Sequence, residues 1–88
     1  MPFNGSEEEL ESTIAGHGKK VLYFTASWCP PCRMIAPIFQ KMSTEFSDVK
    51  FVKIDIDEYG DAASAFNIRS VPTFVFMKDS ELKSQVST

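Results

Sequence analysis

Both cysteines of the chain fall in one stretch, Ser27-Trp28-Cys29-Pro30-Pro31-Cys32-Arg33, separated from each other by two prolines. An apolar run, Val21-Leu22-Tyr23-Phe24, precedes this stretch and a helix-periodic segment follows it. Proline is excluded from helix interiors but suits a first turn, where its missing N–H has no partner to lose. Pro30 and Pro31 therefore place Cys29 at a helix N-terminus. Free backbone N–H groups and the positive end of the helix dipole favour an anion there, so a thiolate at Cys29 is stabilised. The thiolate is the attacking species in disulfide exchange. Cys32, one turn further into the helix, is close enough to attack a mixed disulfide formed at Cys29 and to close a Cys29–Cys32 bond. Two-step dithiol exchange requires no more than this pair, and no cofactor.

Other uses of two cysteines fit less well. A disulfide spanning so short a loop removes little entropy from the unfolded chain and is a poor staple. A zinc site wants four ligands, and apart from Met thioethers only His17 could join the cysteines, so no metal is expected. His17 sits between Gly16 and Gly18 in a polar turn and is assigned no role. Asp55 and Asp57 could be imagined as an acid pair or metal site. With no third ligand nearby they read instead as a turn and a helix cap.

Eighty-eight residues, 43% hydrophobic and 24% charged, make a single domain spanning 1–88 with a small core. The net charge of −3, with no basic cluster, gives no nucleic-acid footprint. No run of eighteen apolar residues would span a membrane, and the start has neither a basic nor an apolar leader segment. A cytoplasmic location is the expectation. Persistent disulfides are rare in a reducing cytosol, which suits a reactive pair better than a structural one.

The cysteine stretch is embedded in a pattern of alternating helices and strands. Ser6 with Glu9 three residues on has the spacing of a capping box, so a helix should start there with Leu10 and Ile14 inward, ending at Gly16-His17-Gly18. Lys20 to Ala26 reads as a buried strand. The second helix carries Ile35, Phe39, Met42 and Phe46 on one stripe beside Met34 and Ile38, all expected in the core, and Pro37 should kink it. Phe51 to Ile56 alternates apolar with charged and reads as a strand partly buried on both faces. Asp57 to Asn67 is expected to be a helix. Phe74 to Met77 and Leu82 to Val86 form a hairpin across Lys78-Asp79-Ser80-Glu81. The order is αβαβαββ.

Trp28-Cys29-Pro30-Pro31-Cys32-Arg33, the helix proline Pro37, the strand Val52-Lys53-Ile54-Asp55-Ile56-Asp57 and the segment Ser70-Val71-Pro72-Thr73-Phe74 together resemble the thioredoxin family. The likeness covers roughly residues 6 to 87. It implies an α/β thioredoxin fold: a central mixed β-sheet flanked by helices, here lacking the C-terminal helix and most of the first strand, of which Met1-Pro2-Phe3-Asn4 is at best a remnant. It implies a protein-disulfide oxidoreductase with Cys29 as exposed nucleophile and Cys32 as buried resolving thiol, joined as a disulfide when oxidised. Trp28, Pro31, Val71 and Pro72, with Thr73 following, are expected to form the rim where a substrate's extended backbone lies, Pro72 being cis and Val71 offering main-chain hydrogen bonds.

Two departures stand out. Tyr23 occupies the position where the family typically buries an Asp thought to help deprotonate the resolving thiol, and a phenol is a weak base near neutrality. The resolving step is therefore expected to be slower or to use another acceptor. Tyr23 combined with Ala26-Ser27-Trp28-Cys29-Pro30-Pro31-Cys32-Arg33 is similar to tryparedoxins and nucleoredoxins, and Pro30 in place of glycine stiffens the motif. The second departure is the missing cover on one sheet face. A shortened chain, or one that self-associates through an apolar patch near Phe74, Val75 and Phe76, is expected. The partners implied are disulfide-containing client proteins, with thioredoxin reductase or a low-molecular-weight dithiol as electron donor. The alternatives are a tryparedoxin-like carrier of electrons to peroxidases, and a binding module of this fold with impaired catalysis.

Overall fold

A computed structural model describes residues 5–87. The element order is α1 (Glu7–Ala15), β1 (Lys19–Thr25), α2 (Pro30–Glu45), β2 (Val49–Asp55), α3 (Gly60–Ala65), β3 (Thr73–Lys78) and β4 (Glu81–Ser87). This is the expected αβαβαββ succession. The four strands lie in the order β2-β1-β3-β4, with β1 parallel to β2 and antiparallel to β3, and β4 antiparallel to β3. The expected remnant of an earlier strand, Met1-Pro2-Phe3-Asn4, lies outside the described residues.

Strand alternation divides the apolar side chains between two layers. Leu22 and Phe24 of β1, Val52 and Ile54 of β2, and Val75 and Met77 of β3 point to the side covered by Leu10 of α1 and Ala62 of α3. Val21 and Tyr23 point to the opposite side, where Phe39 and Cys32 of α2 meet them. β1 is central and is buried from Lys20 to Thr25 because both layers cover it.

Local chemistry sets the element ends. Ser6 and Glu9 form the capping box at the start of α1, each side chain accepting from the other's backbone N–H at 3.1 Å. Lys20 is buried, and its ammonium donates to the carbonyls of Gly16, Gly18 and Asp79, tying the end of α1 to the β3–β4 turn. Gly18, at φ 96°, takes a conformation that a side chain would disfavour. It exchanges 2.8 Å hydrogen bonds with Asp79, donating to Oδ1 and accepting from the Asp79 N–H.

Four expectations are corrected. The third helix is shorter than 57–67, running only from Gly60 to Ala65. The Asp55 carboxylate accepts the Asp57 N–H at 2.8 Å and holds the segment in a turn, and Asn67, at φ 54°, leaves helical geometry. The helix cap expected from the aspartates is absent too, since Tyr59 is the N-cap and makes no side-chain capping bond. On α2 only Phe39 of the apolar stripe is buried, with Ile35 half-buried. Met34, Ile38, Met42 and Phe46 are exposed, because among the described residues no second element packs beside α2 on that face. An apolar groove of about 260 Å³ results, with Ile38, Met42 and Phe46 on one wall and Phe74 and Phe76 on the sheet. Val75, expected in this patch, is fully buried on the other face, as alternation along β3 requires.

Candidate active site

The buried strand β1 delivers the chain to a tight turn over Ala26 to Trp28, where the Cys29 N–H donates to the Ala26 carbonyl at 3.2 Å. Cys29 is the N-cap of α2, with Pro30 and Pro31 in the first turn where their missing donors cost nothing. Its Sγ accepts the Cys32 N–H at 3.3 Å and so fills the capping role that a hydroxyl or carboxylate usually takes. Cys29 and Cys32 are joined as a disulfide with Cα atoms 5.3 Å apart, the pairing that the family resemblance implied. α2 continues through Pro37, which sits in its interior.

The surroundings come from three other segments. Cys29 Sγ lies 3.7 Å from the carbonyl oxygen of Val71, and the Val71–Pro72 peptide bond is cis. Val71 is half-buried against the cluster that holds both cysteines. Trp28 is 62% exposed, its Nε1–H donating to Asp57 Oδ2 at 3.0 Å. Arg33 is exposed and reaches back, its Nη2–H donating to the Ser27 carbonyl at 3.3 Å. Tyr23 is fully buried, stacked on Phe74 with centroids 5.0 Å apart and tilted against Phe39 at 4.8 Å, and its hydroxyl donates to the Cys32 carbonyl at 3.0 Å. The phenol at this position thus braces the first turn of α2 from below.

Two placements differ from expectation. Cys29 was expected to be exposed and is 3% accessible, nearly as little as Cys32 at 2%, because the disulfide, the Val71 carbonyl and the α2 N-terminus close around its sulfur. Pro72 and Thr73 are buried and do not stand on a rim. The Thr73 hydroxyl donates to the Ser70 carbonyl at 2.7 Å and lies 3.1 Å from Ser87 Oγ, which fastens the segment beneath Val71. Trp28, Pro30, Pro31 and Val71 are left as the accessible surround of the disulfide.

Sequence reasoning missed a second feature. An open cavity of about 320 Å³ runs beside Cys32, lined also by Arg33, Lys53, Asp55 and Glu58. The signal was present in β2, where Phe51, Lys53 and Asp55 alternate onto one face. With β1 and β2 parallel, Tyr23 is the register partner of Lys53 and Thr25 that of Asp55, which brings those side chains under the helix that carries the cysteines.

A disulfide capping a helix after a buried strand, faced by a cis X-Pro segment, is the site of a thiol–disulfide oxidoreductase. The family model "Thioredoxin" matches residues 3–88. Thioredoxin H3 of Arabidopsis thaliana is 47% identical over 79 residues, covering 90% of this chain and 67% of its own length. Thioredoxin H5 of Arabidopsis thaliana is 50% identical over 74 residues, covering 82% and 63%. Among solved structures, Plasmodium falciparum thioredoxin superposes with TM-score 0.92 at 30% identity over 99% of this chain and 85% of that one. Oxidized thioredoxin O2 of Arabidopsis thaliana gives 0.88 at 35% identity over 100% and 81%. The chain belongs to the thioredoxin family, and it spans about two-thirds of the length of the curated relatives named.

Proposed function

We propose that the chain reduces disulfides in client proteins, with Cys29 as nucleophile and Cys32 as resolving thiol. The observation that carries this reading is the position of Cys29, N-cap of α2 and disulfide-bonded to Cys32 beside the Val71 carbonyl. In the reduced protein the Cys29 thiolate, favoured by the helix N-terminus, attacks one client sulfur and expels the other as a thiolate. The Cys32 thiolate then attacks Cys29 Sγ, breaking the mixed disulfide and releasing the second client sulfur. Two electrons pass from the cysteine pair to the client, and the client thiolates take up two protons.

Val71 supplies main-chain groups for an extended client segment, with exposed Trp28 and Pro31 beside it. Pro72 and Thr73 hold Val71 in place. Pro30 stiffens the motif, Arg33 adds positive charge near the sulfurs, and Tyr23 supports the helix turn. Regeneration of the dithiol suits a reducing compartment, hence a cytoplasmic location. Among the described residues no helix is long and apolar enough to cross a membrane.

The test is NADPH oxidation with thioredoxin reductase, this protein and insulin, using Cys29→Ser as the blank. Turnover that the blank lacks supports the reading. Reduction of insulin with dithiothreitol but not with the reductase points to a low-molecular-weight dithiol as donor, the tryparedoxin-like reading that Tyr23 and Pro30 favour. Failure with both donors refutes client reduction and leaves a binding module.

A further inference from the structure

We propose that Asp55 is the proton acceptor for Cys32, acting through water in the cavity beside it; this rests on the exchange reading above. The resolving step needs Cys32 as a thiolate, so its proton must go somewhere before or during attack on Cys29. Tyr23 is poorly placed to take it, since its hydroxyl already donates to the Cys32 carbonyl.

The cavity supplies the alternative. It touches Cys32 and Asp55 together and, at about 320 Å³ with charged walls, has room for several waters with polar partners. The charged and titratable groups around it come from every adjoining element. They are Arg33 on α2, Lys53 and Asp55 on β2, and Glu58 in the turn after β2, while Tyr23 on β1 reaches the Cys32 carbonyl without lining the cavity. Glu58 is exposed, whereas Asp55 is half-buried and rooted in the strand. One Asp55 oxygen is fixed by the Asp57 N–H at 2.8 Å, and the other has no protein hydrogen bond among the described residues. Lys53, two residues away on the same strand face, and Arg33 line the same cavity and set positive charge beside both Asp55 and Cys32.

The step balances without any further reactant. The Cys32 S–H proton passes to the Asp55 carboxylate through water, the Cys32 sulfur bonds to Cys29 Sγ, and the Cys29–client S–S bond breaks with its electron pair leaving on the client sulfur. The proton then returns through the open cavity to solvent and the client thiolate.

The experiment isolates this step. Cys29 of the reduced protein is converted to its mixed disulfide with 2-nitro-5-thiobenzoate, and release of the coloured thiolate by Cys32 is followed in stopped flow from pH 5 to 9. Asp55→Asn is expected to release it roughly a hundredfold more slowly at pH 7, at the low end of the range for general bases. The deficit should shrink towards pH 9, where thiols ionise unaided. Asp55→Glu should recover most of the rate, which a purely structural role for the aspartate would not produce, and Glu58→Gln should stay within about twofold. Wild-type release by Asp55→Asn, a deficit independent of pH, or an equal loss in Glu58→Gln overturns the assignment while leaving client reduction standing. A wild-type protein that never releases the thiolate overturns both.

Discussion

Replacing Lys20 by Met removes one ammonium and little else, because Met keeps most of the aliphatic stem that packs in the buried start of β1. The ammonium donates to the carbonyls of Gly16, Gly18 and Asp79 from a side chain that is 2% accessible. Charge-assisted hydrogen bonds contribute about 1.5–3 kcal/mol each, but burying the ammonium costs several kcal/mol, so the three cannot be summed. The outcome depends on which carbonyls are stranded. Gly18 O keeps the Asp79 N–H as a donor, and Asp79 is exposed enough for water to replace the lysine. Gly16 is half-buried, so its carbonyl carries most of the penalty, about 1–3 kcal/mol for a lost partner. Loss of about 2 kcal/mol is expected, which for a domain of this size lowers Tm by about 8–16 °C. Urea melts followed by circular dichroism measure it. Amide exchange should quicken first at Gly18 and Asp79, whose mutual hydrogen bonds the lysine holds together. Insulin reduction per folded molecule should be unchanged, since Lys20 is at the opposite end of β1 from the disulfide. A urea midpoint within about 0.3 kcal/mol of wild type, or uniform exchange without early loss at the turn, would refute the reasoning.

Three further outcomes are expected. Tyr23→Phe keeps the stacked ring and deletes only the hydroxyl bonded to the Cys32 carbonyl, so about 1 kcal/mol should be lost in the same urea melts, and a loss above about 3 kcal/mol would mean the hydroxyl holds more than one turn of α2. Phe39→Ala should cost about 3–5 kcal/mol, because that ring is buried against Tyr23, Phe51 and Phe74, whereas Ile38→Ser on the exposed wall of the groove should cost less than about 0.5 kcal/mol; equal costs would show that the groove is filled in solution. The Gly18 N–H donating to its carboxylate holds Asp79 below the usual carboxylate range, with nearby His17 and Lys78 adding to the effect. Its contribution to stability is present above the unfolded carboxylate range near pH 4 and is lost as the pH falls through the lower folded value. The gap between wild type and Asp79→Asn in urea midpoint should therefore narrow from pH 7 to about pH 2.5, and a gap that widens on acidification would reverse the assigned sign.

Elements whose signal is local were legible in the chain. The capping box at Ser6 and Glu9, the apolar run of β1, the Cys29–Cys32 helix start and the hairpin turn each follow from residues close in sequence, and the structure places them where the spacing did. What local spacing could not supply was the identity of the opposing surface. The periodicity of α2 marks Ile35, Phe39, Met42 and Phe46 as one stripe whether or not anything covers it. Full burial within the stripe falls on Phe39, which the sheet meets through Tyr23, Phe51 and Phe74, while Ile35 is covered only in part. The same limit explains the cavity beside Cys32. Asp55 and Lys53 are ordinary members of an alternating strand until the parallel register with β1 sets them under the resolving cysteine. A buried base in the strand before the motif would have been read directly from the chain. Its replacement by Tyr23 moves the proton problem to a neighbouring strand, about thirty residues away in sequence, where only the fold brings a carboxylate back to the sulfur.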